Sequence, residues 1–273
     1  MQLKFPVMPG DLTKSEQKIM EYIGNHTDSF LFITIGQLAA QLKVSDATIS
    51  RFARHIGCKD FKELKSFIVR QIADEGPAVK MAGTLLRESG FTVENWLLHQ
   101  QLCLQKTLEQ IDSYAFEQAL QSMLNARRIF IHAKSASVSL GQLLLFRLRR
   151  LGFAVSLLPS GGSEVLEGLA QAGKEDLVIF FAFSKVPKEG EMILDYQKQV
   201  GFQTLAFTSR LYAPQEELAD INLFVYRGEP REYHSMAAPA AIVDALVVSI
   251  SEKMGTDAVQ QLSRLHQLKE HYR

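Results

Sequence analysis

Hydrophobic and polar positions follow two distinct rhythms along the 273-residue chain. From residue 13 to 73, apolar residues recur every three or four positions in SEQKIMEYIGNH, TIGQLAAQL, SDATISRFARHIG and DFKELKSFIVRQIA, with polar or glycine breaks between them. That period predicts short helices and a small all-helical domain. After Gly76-Pro77, a break that reads as a hinge, the helical period continues through VKMAGTLLRE, WLLHQQLCLQKTLEQI and SYAFEQALQSML. Beyond Ala126 it changes. RRIFIHA, FAVSLL, DLVIFFAF, TLAFTS and INLFVY read as short strands, and VSLGQLLLFRLRRLG, SEVLEGLAQA and EMILDYQKQVG as helices between the first four. Strand alternating with crossover helix predicts an α/β doubly wound parallel sheet covered by helices on both faces. The chain returns to helix in AAIVDALVVSISEKM and DAVQQLSRLHQLKEHY. The expected domains are therefore 1–75, all-α; 76–108, a helical linker; and 109–273, α/β.

Composition changes this picture little. Lys plus Arg equals Asp plus Glu at 30 each, so any sign of a charged partner must come from local asymmetry. The two cysteines, Cys58 and Cys103, suit no metal-ligand spacing and no disulfide framework, which points to a reduced compartment. The N-terminus lacks signal-peptide character, and runs such as LVIFFAF are too short to span a bilayer. The expectation is a cytoplasmic protein with no metal and no cofactor.

Local asymmetry appears at the second and third helices. In ITIGQLAAQLKVSDATISRFARHIG, residues Leu38, Ala39, Leu42, Val44, Ile49 and Phe52 fall where two short helices around a tight turn would bury them. Ser45 or Asp46 can cap the second helix, leaving Ala47, Thr48, Ser50, Arg51 and Arg54 on its outer side. Short polar side chains and an arginine at a helix start suit the major groove, where arginine bonds guanine bidentately. From Lys43 to Arg70 seven basic residues face three acidic ones, a net of +4, whereas residues 1–42 carry three against four, a net of −1. Lys59, Lys62 and Lys65 lie in the basic stretch as candidate phosphate contacts, with Ser45 at its start. An ordinary three-helix bundle with a solvated charged face shares the same periodicity.

The segment VSDATISRFARHIGCKDFKELK, Val44 to Lys65, resembles the helix-turn-helix signature of the RpiR family of bacterial transcription regulators, in which that module precedes a sugar isomerase (SIS) domain. The resemblance implies a doubly wound sheet that binds phosphorylated sugars at the C-terminal ends of its strands. It also locates two turns. The family's first, roughly G-x-G-x-S, corresponds to HAKSASV, with Ala133 and Ser135 at the glycine positions and Ser137 as the serine. The second, roughly S-x-S-G-x-T, corresponds to AFSKVP, with Ala182 at the first serine, Ser184 kept, Lys185 for glycine and Pro187 for threonine. Glycines there admit positive φ and close approach to phosphate, and hydroxyls donate to its oxygens. This chain offers Ser135, Ser137, Ser184 and two ammonium groups, Lys134 and Lys185, with Glu229 and Ser235 as rim candidates. Two readings stand: a shifted but still anionic ligand held by lysine, or a pocket without a small molecule that serves dimerisation.

SIS isomerases also need a base beside the phosphate site, for which Glu164, Glu167, His132 and His234 are candidates. With the phosphate turns altered, the expectation is no catalytic residue and no enzyme. The sequence reads as a DNA-binding transcription regulator of a carbohydrate pathway, homodimeric or larger, sensing a phosphorylated sugar or related anion. The alternative is a SIS-type isomerase with a helical assembly domain.

Overall fold

The computed structural model describes residues 5–7, 10–72, 76–87 and 91–272. These divide into two compact units: residues 1–99 with 228–234, and residues 100–227 with 235–273.

The first unit is helical: α1 (Lys14–Asn25), α2 (Thr27–Phe32), α3 (Ile35–Leu42), α4 (Asp46–His55), α5 (Phe61–Gln71), α6 (Pro77–Leu85) and the start of α7 (Val93–Gln110). Side-chain caps fix several starts. Thr13 and Thr34 make reciprocal capping boxes with Glu16 and Gln37, and Ser45 and Asp60 cap α4 and α5. Each such cap is worth about 1 kcal/mol by giving an orphan amide an acceptor. Ile19, Ile23, Phe30, Leu38, Ile49, Phe52, Ile56, Leu64 and Ile68 are fully buried in one core. Val79 and Ala82 of α6 join it, so Gly76-Pro77 starts a helix that packs into this core. Residues 228–234 complete the unit. The Tyr233 amide donates to Thr84 Oγ1 at 2.7 Å and Arg87 Nε to Glu232 Oε1 at 2.8 Å. Gly83 has no room for a side chain, because a Cβ there would stand 2.0 Å from the Arg231 carbonyl oxygen.

The boundary between the units falls inside α7, which continues into α8 (Ser113–Asn125). Strands and helices then alternate: β1 (Ile129–His132), α9 (Val138–Arg150), β2 (Val155–Leu157), α10 (Glu164–Leu169), β3 (Leu177–Phe181), α11 (Lys188–Val200), β4 (Gln203–Thr208) and β5 (Ile221–Phe224). Helices α12 (Ala237–Met254) and α13 (Thr256–His271) end the chain. The five strands pair in parallel in the order β2-β1-β3-β4-β5. Strand periodicity sends alternate residues to opposite cores. Ile129, Ile131, Ile179, Phe181, Leu205, Phe207 and Leu223 pack with α8, α9 and α12, whereas Phe130, Val178, Phe180 and Ala206 pack with α10 and α11. The α/β doubly wound sheet expected from the sequence is present. All strands point the same way, so their C-terminal ends share one edge, where such sheets take ligands. Among the described residues no helix is long and apolar enough to cross a membrane.

Candidate functional site

Helix α4 is held by one buried stripe and one hydrogen bond. Ile49, Phe52 and Ala53 face the core, and His55 Nδ1 lies 2.8 Å from Glu16 Oε1 of α1. Burial alone would raise the Glu16 carboxyl. Bonds from the Thr13 amide and from His55 outweigh it and hold the carboxyl below its usual value. Lys43, left-handed at φ 54°, makes the sharp turn between α3 and α4.

The face opposite the core carries the residues expected from the sequence. Ser45, Ala47, Arg51 and Arg54 are exposed, with Thr48 and Ser50 partly so. Ser45 is the cap: its Oγ accepts from the Thr48 amide at 3.1 Å and lies 2.9 Å from Thr48 Oγ1. Arg51 Nη2 is 3.4 Å from the same Thr48 hydroxyl, so the three form one polar chain at the helix start. Lys59 is exposed before α5. Lys62 is exposed too, with its ammonium bonded to the Arg87 carbonyl.

Lys65 departs from expectation. It is buried, donates to the Ile33 carbonyl and stands over the Phe61 ring at 5.1 Å. Burial lowers the pKa of its ammonium. A side chain so placed has no face toward a phosphate.

In the second unit, the turns after β1 and β3 occupy the C-terminal edge of the sheet. Ser135 has φ 53°, so a serine holds the left-handed conformation for which the family turn uses glycine. Ser135 is exposed, and Ser137 is half-buried just before α9. Ser184 and Lys185 are exposed after β3, and Pro187 immediately precedes α11. Lys134 differs from its expected role: Lys134 Nζ donates to Glu189 Oε1 at 2.7 Å, so its charge already meets a carboxylate of the chain. That bond, ahead of the opposing effect of burial, holds the Glu189 carboxyl below its usual value. Burial lowers the pKa of His132, with Glu189 pulling the other way. His132 Nε2 and Glu189 Oε2 are both buried without a hydrogen-bond partner. Sequence reasoning did not single out Glu189; its signal was a carboxylate in the first turn of the helix that follows β3.

The remaining candidates do not assemble. Glu229 belongs to the first unit, where its amide donates to Glu232 Oε2 at 3.1 Å. Ser235 Oγ accepts from the Ala237 amide at 3.1 Å before α12. Of the four base candidates, Glu164 and Glu167 are exposed on α10, His132 is buried on β1, and His234 lies in the first unit beside the Glu229 carbonyl.

Comparison with known proteins matches both units. Residues 5–75 match the model of the helix-turn-helix domain of the rpiR family, and residues 122–249 that of the SIS domain. An uncharacterized HTH-type transcriptional regulator of Caldanaerobacter subterraneus subsp. tengcongensis is 24% identical over 261 residues, covering 93% of this chain and 92% of its own. Among solved structures, the sugar isomerase domain of an RpiR transcription factor from Sphaerobacter thermophilus is similar, with TM-score 0.59 and 22% identity over 64% of this chain and 98% of that one. Vibrio vulnificus NanR complexed with ManNAc-6P is similar over 96% of this chain and 95% of its own, with TM-score 0.59 and 19% identity. The chain belongs to the RpiR family of transcription regulators, a helix-turn-helix domain followed by a SIS domain.

Proposed function

We propose that α4 is a recognition helix that enters the major groove of an operator, and that the second unit senses a small anion at the turns after β1 and β3. The observation that carries the first part is the outer face of α4. Arg51 and Ala47 are exposed at the start of a helix whose opposite face is locked into the core by Ile49 and Phe52. Thr48, Ser50 and Arg51 then read base edges, while Arg54, Lys59 and Lys62 meet phosphates. Ser45 holds the helix start in the conformation that presents them.

For the second part, Ser135, Ser137, Ser184 and Lys185 supply hydroxyls and a charge to an anion, and the family kinship favours a phosphorylated sugar and control of a carbohydrate pathway. The scattered base candidates support a sensor over an isomerase, and the reading carries a cytoplasmic location. The test is a gel shift with DNA from upstream of the protein's own gene. Arg51→Ala should weaken specific binding by about 1 to 3 kcal/mol and leave nonspecific binding and the melting temperature nearly unchanged. Equal loss on all sequences would contradict base reading by Arg51.

A further inference from the structure

Beyond the turns already described, a cation is buried at the far end of the same sheet edge. Arg227 follows β5 by three residues, and only 8% of it is exposed. Its guanidinium lies against the chain's own groups: the carbon centre is 3.9 Å from the Phe183 ring centroid, and Nε is 3.3 Å from Ser209 Oγ. Phe183 ends the run from β3, and Ser209 directly follows β4, so three adjacent strand ends converge on this side chain. The Ser209 amide bonds the Phe183 carbonyl at 3.0 Å, and the Ser209 hydroxyl donates to the Val225 carbonyl at 2.6 Å, which fixes the seat. No carboxylate pairs with Arg227 among the described residues.

The next residue adds to this. Arg210, after β4, pairs through Nη1 with Glu217, but its Nε is buried and without a partner. Burial lowers the pKa of Arg227 to about 10, and no neighbouring charge opposes it. A buried guanidinium is costly unless an anion shares its site. Phe183 and Ser209 orient this one while leaving the donors of its fork to a ligand, and a guanidinium fork matches two oxygens of a carboxylate or phosphate.

We propose that Arg227 is the principal anion receptor of the second unit, binding the acid group of a small oxyanion ligand at the ends of β3, β4 and β5. This rests on the reading of that unit as an anion sensor and moves the charge that recognises the acid group from Lys185 to Arg227.

Thermal melts of the full chain test it with four probes: glucose 6-phosphate, gluconate, inorganic phosphate, and uncharged glucose as control. At least one anion should raise the melting temperature of the wild type and glucose should not, because a ligand bound only to the folded state stabilises it. Glucose 6-phosphate or phosphate acting alone identifies a phosphoryl ligand, and gluconate acting alone a carboxylate; either supports the site. Arg227→Gln should abolish the shift. Arg227→Lys should keep part of it with affinity reduced about tenfold, since a point charge replaces a fork. Without ligand, Arg227→Gln should melt at or above the wild type because the unpaired buried charge is gone. A shift that survives in Arg227→Gln overturns Arg227 and leaves anion sensing standing, whereas no shift with any anion in the wild type overturns both. If Arg227→Gln fails to fold, undiminished affinity in Arg227→Lys overturns the proposal.

Discussion

An ammonium group withdrawn from water needs an acceptor, and Lys65 finds one in the Ile33 carbonyl. Its stem fills space beside Phe61 on the inner side of α5. Lys65→Met keeps the stem volume but orphans that carbonyl, so stability should fall by about 1 to 3 kcal/mol. The salt dependence of DNA binding should not change. Lys62→Met should instead flatten the slope of log K against log salt by about one. Urea unfolding and binding at several salt concentrations separate the two; a flatter slope in Lys65→Met would return that lysine to the DNA face. The burial of Lys65 was legible in the sequence. Phe61, Leu64, Lys65 and Ile68 stand at i, i+3, i+4 and i+7, which is the buried stripe of a helix, and counting charge along the chain ignored that phase. Arg227 carried no such signal. A single cation after an apolar strand looks like any surface residue until three strand ends are seen to meet on it.

At the scale of elements, Asp176 ties the beginnings of β1 and β3 together. Its carboxylate accepts from Arg128 at 2.7 Å, Arg127 at 3.0 Å and the Gly173 amide at 2.8 Å. Burial would raise this carboxyl, but the bonds from Arg128, Arg127 and Gly173 outweigh it and hold the pKa at about 2. An unfolded aspartate titrates near pH ~4. A folded pKa below the unfolded one gives stability that is complete above that value and lost as the pH falls toward 2. Asp176→Asn should therefore destabilise the protein by on the order of 2 to 3 kcal/mol at pH 7. The gap to wild type should close as denaturant melts are repeated down to pH 2.5. A constant gap would mean that packing, not charge, is what the substitution removes. The elements themselves were largely legible: every strand after Ala126 coincides with a short apolar run, because a sheet covered on both faces leaves no polar alternation to hide it. Helix α2 was not read. Six residues, TDSFLF, are too few to show a helical period, and packing against the core stabilises what propensity alone would not.

At the scale of the whole molecule, α12 leaves Val248 67% exposed on a helix whose inner face already buries Val243, Leu246 and Ile250. A helix apolar on more than one side suits a second copy of the chain, and two copies would present two recognition helices to a palindromic operator. Light scattering at micromolar concentration should give about twice 30.7 kDa. Val248→Glu should lower that mass toward one chain and weaken operator binding while the melting temperature holds. A monomeric wild type would remove α12 from any such role. This surface was legible in composition, as AAIVDALVVSI shows. The membership of residues 228–234 was not, because no local pattern marks a loop as belonging to helices encoded far upstream.

That membership bears on how the protein is made. A ribosome releases the helices up to His99 well before it reaches Gly228, and at 5–20 residues per second the interval is on the order of ten seconds. During it, the slot over Gly83 has no Arg231 carbonyl to fill it, and the Thr84 hydroxyl and Arg87 guanidinium wait for Tyr233 and Glu232. The strand β5 must emerge before the helical unit can close. The nascent chain therefore closes the α6 edge of its helical unit only after β5 exists, whereas every residue of the core that holds α3 and α4 has emerged long before.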